Sequence, residues 1–275
     1  MPENSHLTKS LCSPLRFAGI LVMDGKYIAV KGYEQKIPFI YGIDYLSHDI
    51  PLGELYAAEE GMAFASFFGR LKETGYPLRA VVADDRQGLK PALLRAFPHA
   101  RLQLCHVHYL ENARRLLNVR TEERYREFFY ALHRVFRKAR SQEQVFQELR
   151  FIETKNNSML LNILADVRNR SNDLFAFRQI QDCPSSTNMI ESYNSHLQGR
   201  LDSLKGFQSF SSARLWLNAY LIRRRTKPLT DCQGRFRRLN KHASLEWSIK
   251  KQAQWPKTLK KRGIKKIEYF DGPGV

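Results

Sequence analysis

The period of the apolar residues changes once along this chain, and that change limits the fold more than any other feature. Up to His108, short β-forming runs alternate with amphipathic helical stretches; from Tyr109 to about Ile180 the spacing is helical throughout. Phe17 to Asp24 is an apolar run, Asp24 and Gly25 form a turn signal, and Tyr27 to Val30 resumes with β-formers, which predicts a hairpin. Ile37 to Asp44 predicts a third strand, Leu78 to Ala83 a fourth ending at Asp84, and Arg101 to Val107 a fifth. Glu59 to Thr74 sets Met62, Phe64, Phe67, Phe68 and Leu71 at helical spacing before Gly75, and Gln87 to Phe97 sets Leu89, Leu93, Leu94 and Phe97 on one face. The order predicts an α/β fold, a mixed five-stranded sheet flanked by helices.

Thr121 to Arg140 continues with Phe128, Phe129, Leu132, Val135 and Phe136, and Ser141 with Gln144 reads as a capping box before another helix. Residues 109–182 are therefore expected as an all-helical insertion. After a polar break at Asp182 to Thr187, a helix starts near Asn188. Its buried side is set by Ile190, Tyr193, Leu197 and Leu201, which leaves Asn188, Glu191, Ser195 and Gln198 on another. A further helix, Ser212 to Arg225, is expected to bury Leu215, Trp216, Ala219 and Ile222. The expected organisation is a short lead (1–16), a core of strands (17–108), the insertion (109–182), the C-terminal part of the core (183–226) and a basic tail (227–275).

Charge narrows the partner. The 275 residues carry 45 Lys plus Arg against 27 Asp plus Glu, a formal net charge of +18, which points to a polyanion. The excess is uneven: residues 1–100 hold 11 basic and 11 acidic side chains, residues 201–275 hold 18 and 5. Arg223, Arg224 and Arg225, then Arg237 and Arg238, then Lys260, Lys261 and Arg262, are interleaved with Phe236, Trp247, Trp255 and Tyr269. Such runs suit phosphate contact with stacking on exposed bases, or equally a solvated basic surface. The apolar stretches fall far short of the roughly 20 residues that span a bilayer, and Met1 to Ser13 lacks the apolar centre of a secretion signal, so no membrane partner and a cytoplasmic, nucleoid-associated location are expected. Cys12, Cys105, Cys183 and Cys232 form no CxxC pair and are expected as free thiols.

Three carboxylates stand at the ends of predicted core elements or beside them: Asp24, Asp84 and Glu191. Each also has a purely structural reading, since Asp24 precedes Gly25 and could shape the hairpin, Asp84 could cap the next helix, and Glu191 could close a capping box with Asn188. Cys105, His106 and His108 leave three readings open: a Zn²⁺ site recruiting Cys183 or His99, a Cys–His catalytic pair, or a packed Cys on a strand.

The strings MDGKYIAV, ADDRQGLKPALLRAFPHARLQLCHVHYLENARRLL and TNMIESYNSHLQGRL resemble the DDE transposases of the Mutator-like superfamily, in particular its bacterial insertion-sequence branch, over roughly Phe17 to Arg225. The resemblance implies a ribonuclease-H-like sheet, with the helical insertion lying between the last strand and the helix that carries the catalytic Glu. It also implies a catalytic triad of Asp24, Asp84 and Glu191, with Asp85 as the nearest competitor for the second place, and a supporting C-x-x-H word at Cys105 and His108. Two Mg²⁺ or Mn²⁺ ions would be held roughly 3.5–4 Å apart, Asp24 bridging both and Asp84 and Glu191 each holding one.

By the same resemblance the activity is DNA strand cleavage and strand transfer at mobile-element ends, on double-stranded terminal repeats and target DNA, by a homo-oligomer. Relatives place a DNA-binding region before the first catalytic strand, whereas Asp24 stands 23 residues from the start. Either the insertion and the basic C-terminus recognise the DNA, or the chain is a truncated copy. A ribonuclease-H-like endonuclease and an inactive DNA-binding relative are the competing functions.

Overall fold

In chain order the elements of the computed structural model are helix α1 (Asn4–Leu11), strands β1 (Ile20–Ile28), β2 (Ile37–Asp44) and β3 (Leu52–Leu55), α2 (Glu60–Glu73), β4 (Ala80–Ala83), α3 (Leu89–Ala96) and β5 (Arg101–Leu104). Helices α4 (His106–Leu116), α5 (Arg126–Lys138), α6 (Gln142–Arg150), α7 (Ser158–Asn169), α8 (Ser171–Leu174), α9 (Asn188–Leu201), α10 (Phe210–Thr226) and α11 (Ser244–Ser248) follow. The structure describes residues 3–57, 60–138, 142–150, 152, 154, 157–204 and 206–250. The expected capping box at Ser141 lies outside them. None of the helices among the described residues is long and apolar enough to cross a membrane.

The described residues form a mixed α/β fold of five strands and flanking helices, divided into two compact units. Among the described residues, one unit takes in those up to Arg79, Arg86–Ala100 and those from Asn188; the other takes in Ala80–Asp85 and Arg101–Thr187.

In the first unit β1, β2 and β3 form an antiparallel meander, with Asp24 opposite Tyr41 and Phe39 opposite Leu55. All eight residues of β2 are buried, because β1 and β3 flank it and helices α1, α2 and α10 pack on this meander. The predicted hairpin at Asp24–Gly25 is not formed. Gly25 pairs with Ile40 and the ladder runs on to Ile28 opposite Ile37, so Asp24 lies in mid-strand. Residues 29–36 make the reversal instead, with Gly32 at φ +92°. Along β1, Ile20–Met23 are buried and Asp24 is the first residue that solvent reaches.

Strand β3, unexpected from sequence, reads Leu-Gly-Glu-Leu, too short and too glycine-rich to announce itself. Its Gly53 is required by packing: a Cβ there would stand 2.6 Å from the Leu221 side chain of α10. The Gly88 of the Gly-Leu-Lys word has a similar cause. It opens α3 at φ +79°, and a Cβ would stand 2.8 Å from Gly61 of α2.

In the second unit β4 and β5 pair in parallel, Ala80 with Arg101 through Ala83 with Leu104. The fifth strand is shorter than expected. Cys105 donates its N–H to Ala83 O (2.9 Å), then accepts from Tyr109 N–H (3.0 Å), so the chain leaves the ladder and enters α4 at once. Helix α5 buries Phe128, Phe129, Leu132, Val135 and Phe136, the residues its periodicity marked.

Helix α10 is rotated from its expected setting. It buries Ala213, Leu217, Leu221, Ile222 and Arg225, leaves Leu215 exposed at 63%, and half-exposes Trp216 and Ala219. Residues 227–250, expected within a basic tail, are packed into the first unit through Leu229, Leu239, Ala243, Leu245 and Ile249.

The cause of the rotation is Arg225, fully buried against fully buried Asp49. Its Nε and Nη2 donate to the two carboxylate oxygens at 2.8 Å each; Nη1 reaches Asn4 Oδ1 (2.8 Å), Asn4 O (3.2 Å) and Thr8 Oγ1 (2.9 Å), and Nη2 also meets Cys12 Sγ (3.3 Å). All five guanidinium N–H groups are thereby satisfied. Ser248 and Ser244 donate to Asp49 from the other side. Burial pushes the neighbouring Cys12 thiol up to about 11, so it stays protonated. Removing one partner strands a buried charge: Asp49→Ala and Arg225→Met should each lower stability by about 3–5 kcal/mol in urea unfolding. The double variant Asp49→Leu/Arg225→Met should recover a large part, and single-variant losses near zero would refute the assignment.

Candidate functional site

In the first unit the site is built around Asp24. Its Oδ1 accepts the N–H of Gly25 (2.7 Å), and its Oδ2 accepts from Asn194 Nδ2 on α9. Asn194 Oδ1 in turn accepts the Tyr41 hydroxyl (2.8 Å). Burial pushes the Tyr41 phenol well above its usual range, with the charge of Asp24 adding to the effect, so Tyr41 stays a neutral donor. A donor on the Asn194 oxygen fixes the amide with its NH₂ toward Asp24. The chain Tyr41–Asn194–Asp24 thus clamps α9 onto β1. Glu191 is exposed one turn before Asn194 on the same helix, i and i+3, so the clamp also sets where Glu191 stands.

In the second unit Asp84 follows β4 directly. Its Oδ1 lies 2.6 Å from His108 Nδ1, and the ligand-capable atoms of Asp84, Cys105 and His108 lie within 4.8 Å of one another. Cys105 caps α4 and His108 falls one turn later, which turns the C-x-x-H spacing into a shared helix face. Thr187 closes the group: its hydroxyl and N–H reach Cys105 Sγ at 3.2 and 3.4 Å, and its hydroxyl is 3.4 Å from His108 Nδ1.

Asp85, the competitor in sequence, is taken up elsewhere. It is 61% exposed and pairs with Arg170 Nη2 (2.8 Å). Cys183 donates to Pro184 O, and all four cysteines are free thiols. His106 is turned into an apolar nest, its ring 4.8, 5.4 and 5.2 Å from those of Phe136, Phe175 and Phe177, with Nε2 2.5 Å from Leu174 O. It therefore stands apart from the Asp84 group as a packed histidine.

The basic residues separate. Arg223, Arg237 and Arg238 are exposed, and Arg224 is half-buried over the Tyr193 ring at 4.5 Å. Arg225 does not face solvent at all, because Asp49 holds it in the core; it is a structural cation and not a phosphate contact. Lys260, Lys261 and Arg262 lie outside the described residues.

Asn194, Tyr41 and Thr187 escaped the sequence reading. The signal for Asn194 was its i+3 relation to Glu191; Tyr41 becomes visible only through the β1–β2 register, and Thr187 only through the return of the chain past α4.

Residues 19–224 match the family model described as the Mutator-family transposase. The chain belongs to the Mutator family of transposases. Over 111 residues it is 32% identical to the transposase for insertion sequence element ISRM5 of Rhizobium meliloti (strain 1021), a match covering 38% of this chain and 27% of that relative. The chain thus aligns with little more than a quarter of that relative's length. Asp24, Asp84, Cys105, His108 and Glu191 all fall inside the matched region.

His106 gives the unit that holds it a pH dependence. Burial pushes its pKa down from 6.5 to about 4, with the Leu174 carbonyl pulling weakly the other way. Below pH 6.5 the unfolded chain takes up the proton first, so the contribution is intact above 6.5 and is lost as pH falls toward 4, on the order of 3 kcal/mol. His48, in the other unit, is pushed down alike. Only a comparison of variants therefore isolates His106. His106→Gln keeps a donor for Leu174 without titrating, so the stability difference between wild type and variant should shift toward the variant between pH 6.5 and 4. A difference that does not change with pH would count against it.

Proposed function

We propose that this Mutator-family transposase cleaves and joins DNA strands at the ends of a mobile element, with Asp24, Asp84 and Glu191 as the DDE carboxylates of a ribonuclease-H-like catalytic core. The observation that carries the reading is the Tyr41–Asn194–Asp24 clamp, which holds the mid-strand aspartate from α9, the helix that carries Glu191 one turn before Asn194. A helix that merely packed on β1 would not need its polar contact at the one strand residue where burial gives way to solvent.

The donor set suits Mg²⁺ or Mn²⁺: three carboxylates offer hard oxygens, and Asp24 accepts one N–H on each oxygen while its further lone pairs remain for a cation. When bound, two such ions would activate the attacking hydroxyl and stabilise the leaving oxygen of an in-line phosphodiester displacement. The chain's own part is positional. Gly25 and Asn194 hold Asp24 by both oxygens, and His108, its Nδ1 2.6 Å from Asp84 Oδ1 and Thr187 beside it, stands against the second carboxylate. In this reading Cys105 and His108 are positioning residues, outer partners of the kind whose loss costs about 10–100-fold. Double-stranded DNA is the partner, and assembly of several copies on it at the nucleoid belongs to the same reading.

The test uses the purified chain with a duplex carrying the DNA that flanks its own coding region. Nicked and joined products should form with Mg²⁺ or Mn²⁺ and vanish with EDTA. Asp24→Asn, Asp84→Asn and Glu191→Gln should each reduce them by at least about a hundredfold while circular dichroism and DNA retention stay unchanged. His108→Ala should fall between these and wild type. Activity that survives EDTA or the carboxylate variants would overturn the assignment, as would hydrolysis without joining or a wild type that binds and does nothing.

A further inference from the structure

Helix α10 has a second face. Trp216, Ala219, Tyr220, Arg223, Arg224 and Lys227 recur at helical spacing opposite the buried row, and they line a concave cleft of about 490 Å³ together with His196 and Arg200 from α9 and Asp231. The Trp216 and Tyr220 rings lie parallel, 7° between planes and 5.7 Å between centroids, and Phe207 braces Trp216 from the side at 5.7 Å. Four permanent cations share the cleft with one carboxylate. That carboxylate, Asp231, is itself 3.8 Å from His196 Nε2. Burial pushes the Tyr220 phenol up while the guanidinium groups of Arg224 and Arg200 pull it back, so both cations bear on that ring.

We propose that this cleft binds unpaired nucleotides of a DNA strand, a base lying against the Trp216–Tyr220 platform and its phosphates meeting Arg200, Arg223 and Lys227. The inference rests on DNA being the substrate of the chain. Concentrated like charge calls for an anion. The anion's nature follows from the rings: half-exposed aromatic faces recognise the faces of bases, which a duplex hides within its stack and a single strand offers. The size agrees, since a few hundred cubic ångströms suits a nucleotide and cannot enclose a double helix.

The experiment is fluorescence anisotropy of the full chain with labelled oligo-dT and with a duplex of equal length, in EDTA and over a range of salt. Trp216→Ala should weaken oligo-dT binding about tenfold and change duplex binding less than twofold, and Trp216→Phe should restore most of the loss. Arg223→Gln and Lys227→Gln, both exposed, should weaken both ligands and each lower the salt slope by about one. Equal effects of Trp216→Ala on the two ligands, or none, would overturn the proposal; so would displacement of oligo-dT by poly-glutamate at matched charge, which would mark a simple anion site. Asp84→Asn should leave oligo-dT binding unchanged. Loss of strand transfer in Asp84→Asn with no Trp216 effect would sink the cleft alone. A Trp216 effect on binding, in a chain without strand transfer, would sink the catalytic reading alone.

Discussion

The first unit depends on one buried ion pair. Taking Arg225 and Asp49 out of water costs several kcal/mol per ion, and only a full set of hydrogen bonds offsets it. The structure supplies that set from four places in the sequence: Asn4, Thr8 and Cys12 on and beside α1, Asp49 before β3, Arg225 on α10, and Ser244 and Ser248 on α11. A pair satisfied in this way tolerates little movement. It therefore ties α1, α10 and α11 to the same buried carboxylate and fixes the rotation of α10 about its axis. With Arg225 inward, Leu221 and Leu217 point inward one and two turns earlier, and Gly53 is held to glycine by the resulting contact.

That rotation decides what α10 offers to solvent. Apolar periodicity alone favoured burying Trp216 and Ala219 and treating the Arg223–Arg225 run as one exposed patch. Both expectations fail for the same reason: a charged residue occupies the core position and turns the helix by roughly 150°. Hydropathy assigns arginine to the surface by default, and nothing local to Arg225 distinguishes it from Arg223 or Arg224. Its partner is 176 residues away. Long-range polar pairing of this kind is invisible to periodicity, whereas the helical character of residues 109–182 and the Phe, Leu and Val face of α5 were readable.

The strands illustrate a related limit. Five were expected and five exist among the described residues, yet the agreement conceals two errors, since two predicted strands fuse into β1 and β3 was absent from the expectation. An Asp-Gly pair signals a hairpin only when the flanking runs are free to pair with each other. Here β2 supplies a better partner along Leu21–Ile28, and the pair is pulled straight. The consequence is chemical. A turn would have carried Asp24 to a sheet edge; the strand instead presents it opposite Tyr41, where α9 can seize it through Asn194. At the other carboxylate, early termination of β5 converts the Cys105–His108 spacing from alternating strand faces into one helix face, which is why both can approach Asp84. The candidate residues were legible as residue types. The groups that hold them were not, because those contacts are made by register and helix phase.

Helix α9 joins the two proposed roles. Its first turn carries Glu191, its second the Asn194 clamp on Asp24, and its last turn Arg200 in the cationic cleft. Nine residues separate Glu191 from Arg200, on the order of 14 Å along the helix axis. At about 3.4 Å of rise per stacked nucleotide, that distance corresponds to roughly four nucleotides. A strand whose phosphodiester lay at Glu191 would thus reach the Trp216–Tyr220 platform within a few bases, provided those bases had left their partners. Because the clamp and the buried Arg225 fix α9 and α10 independently, this spacing is built into the unit and does not wait on a bound ligand to create it. Unpairing near the scissile bond would then be stabilised by stacking on α10, in a cleft that Arg200 of the Glu191 helix also lines, so that strand separation would be coupled to cleavage through the cleft the two helices share.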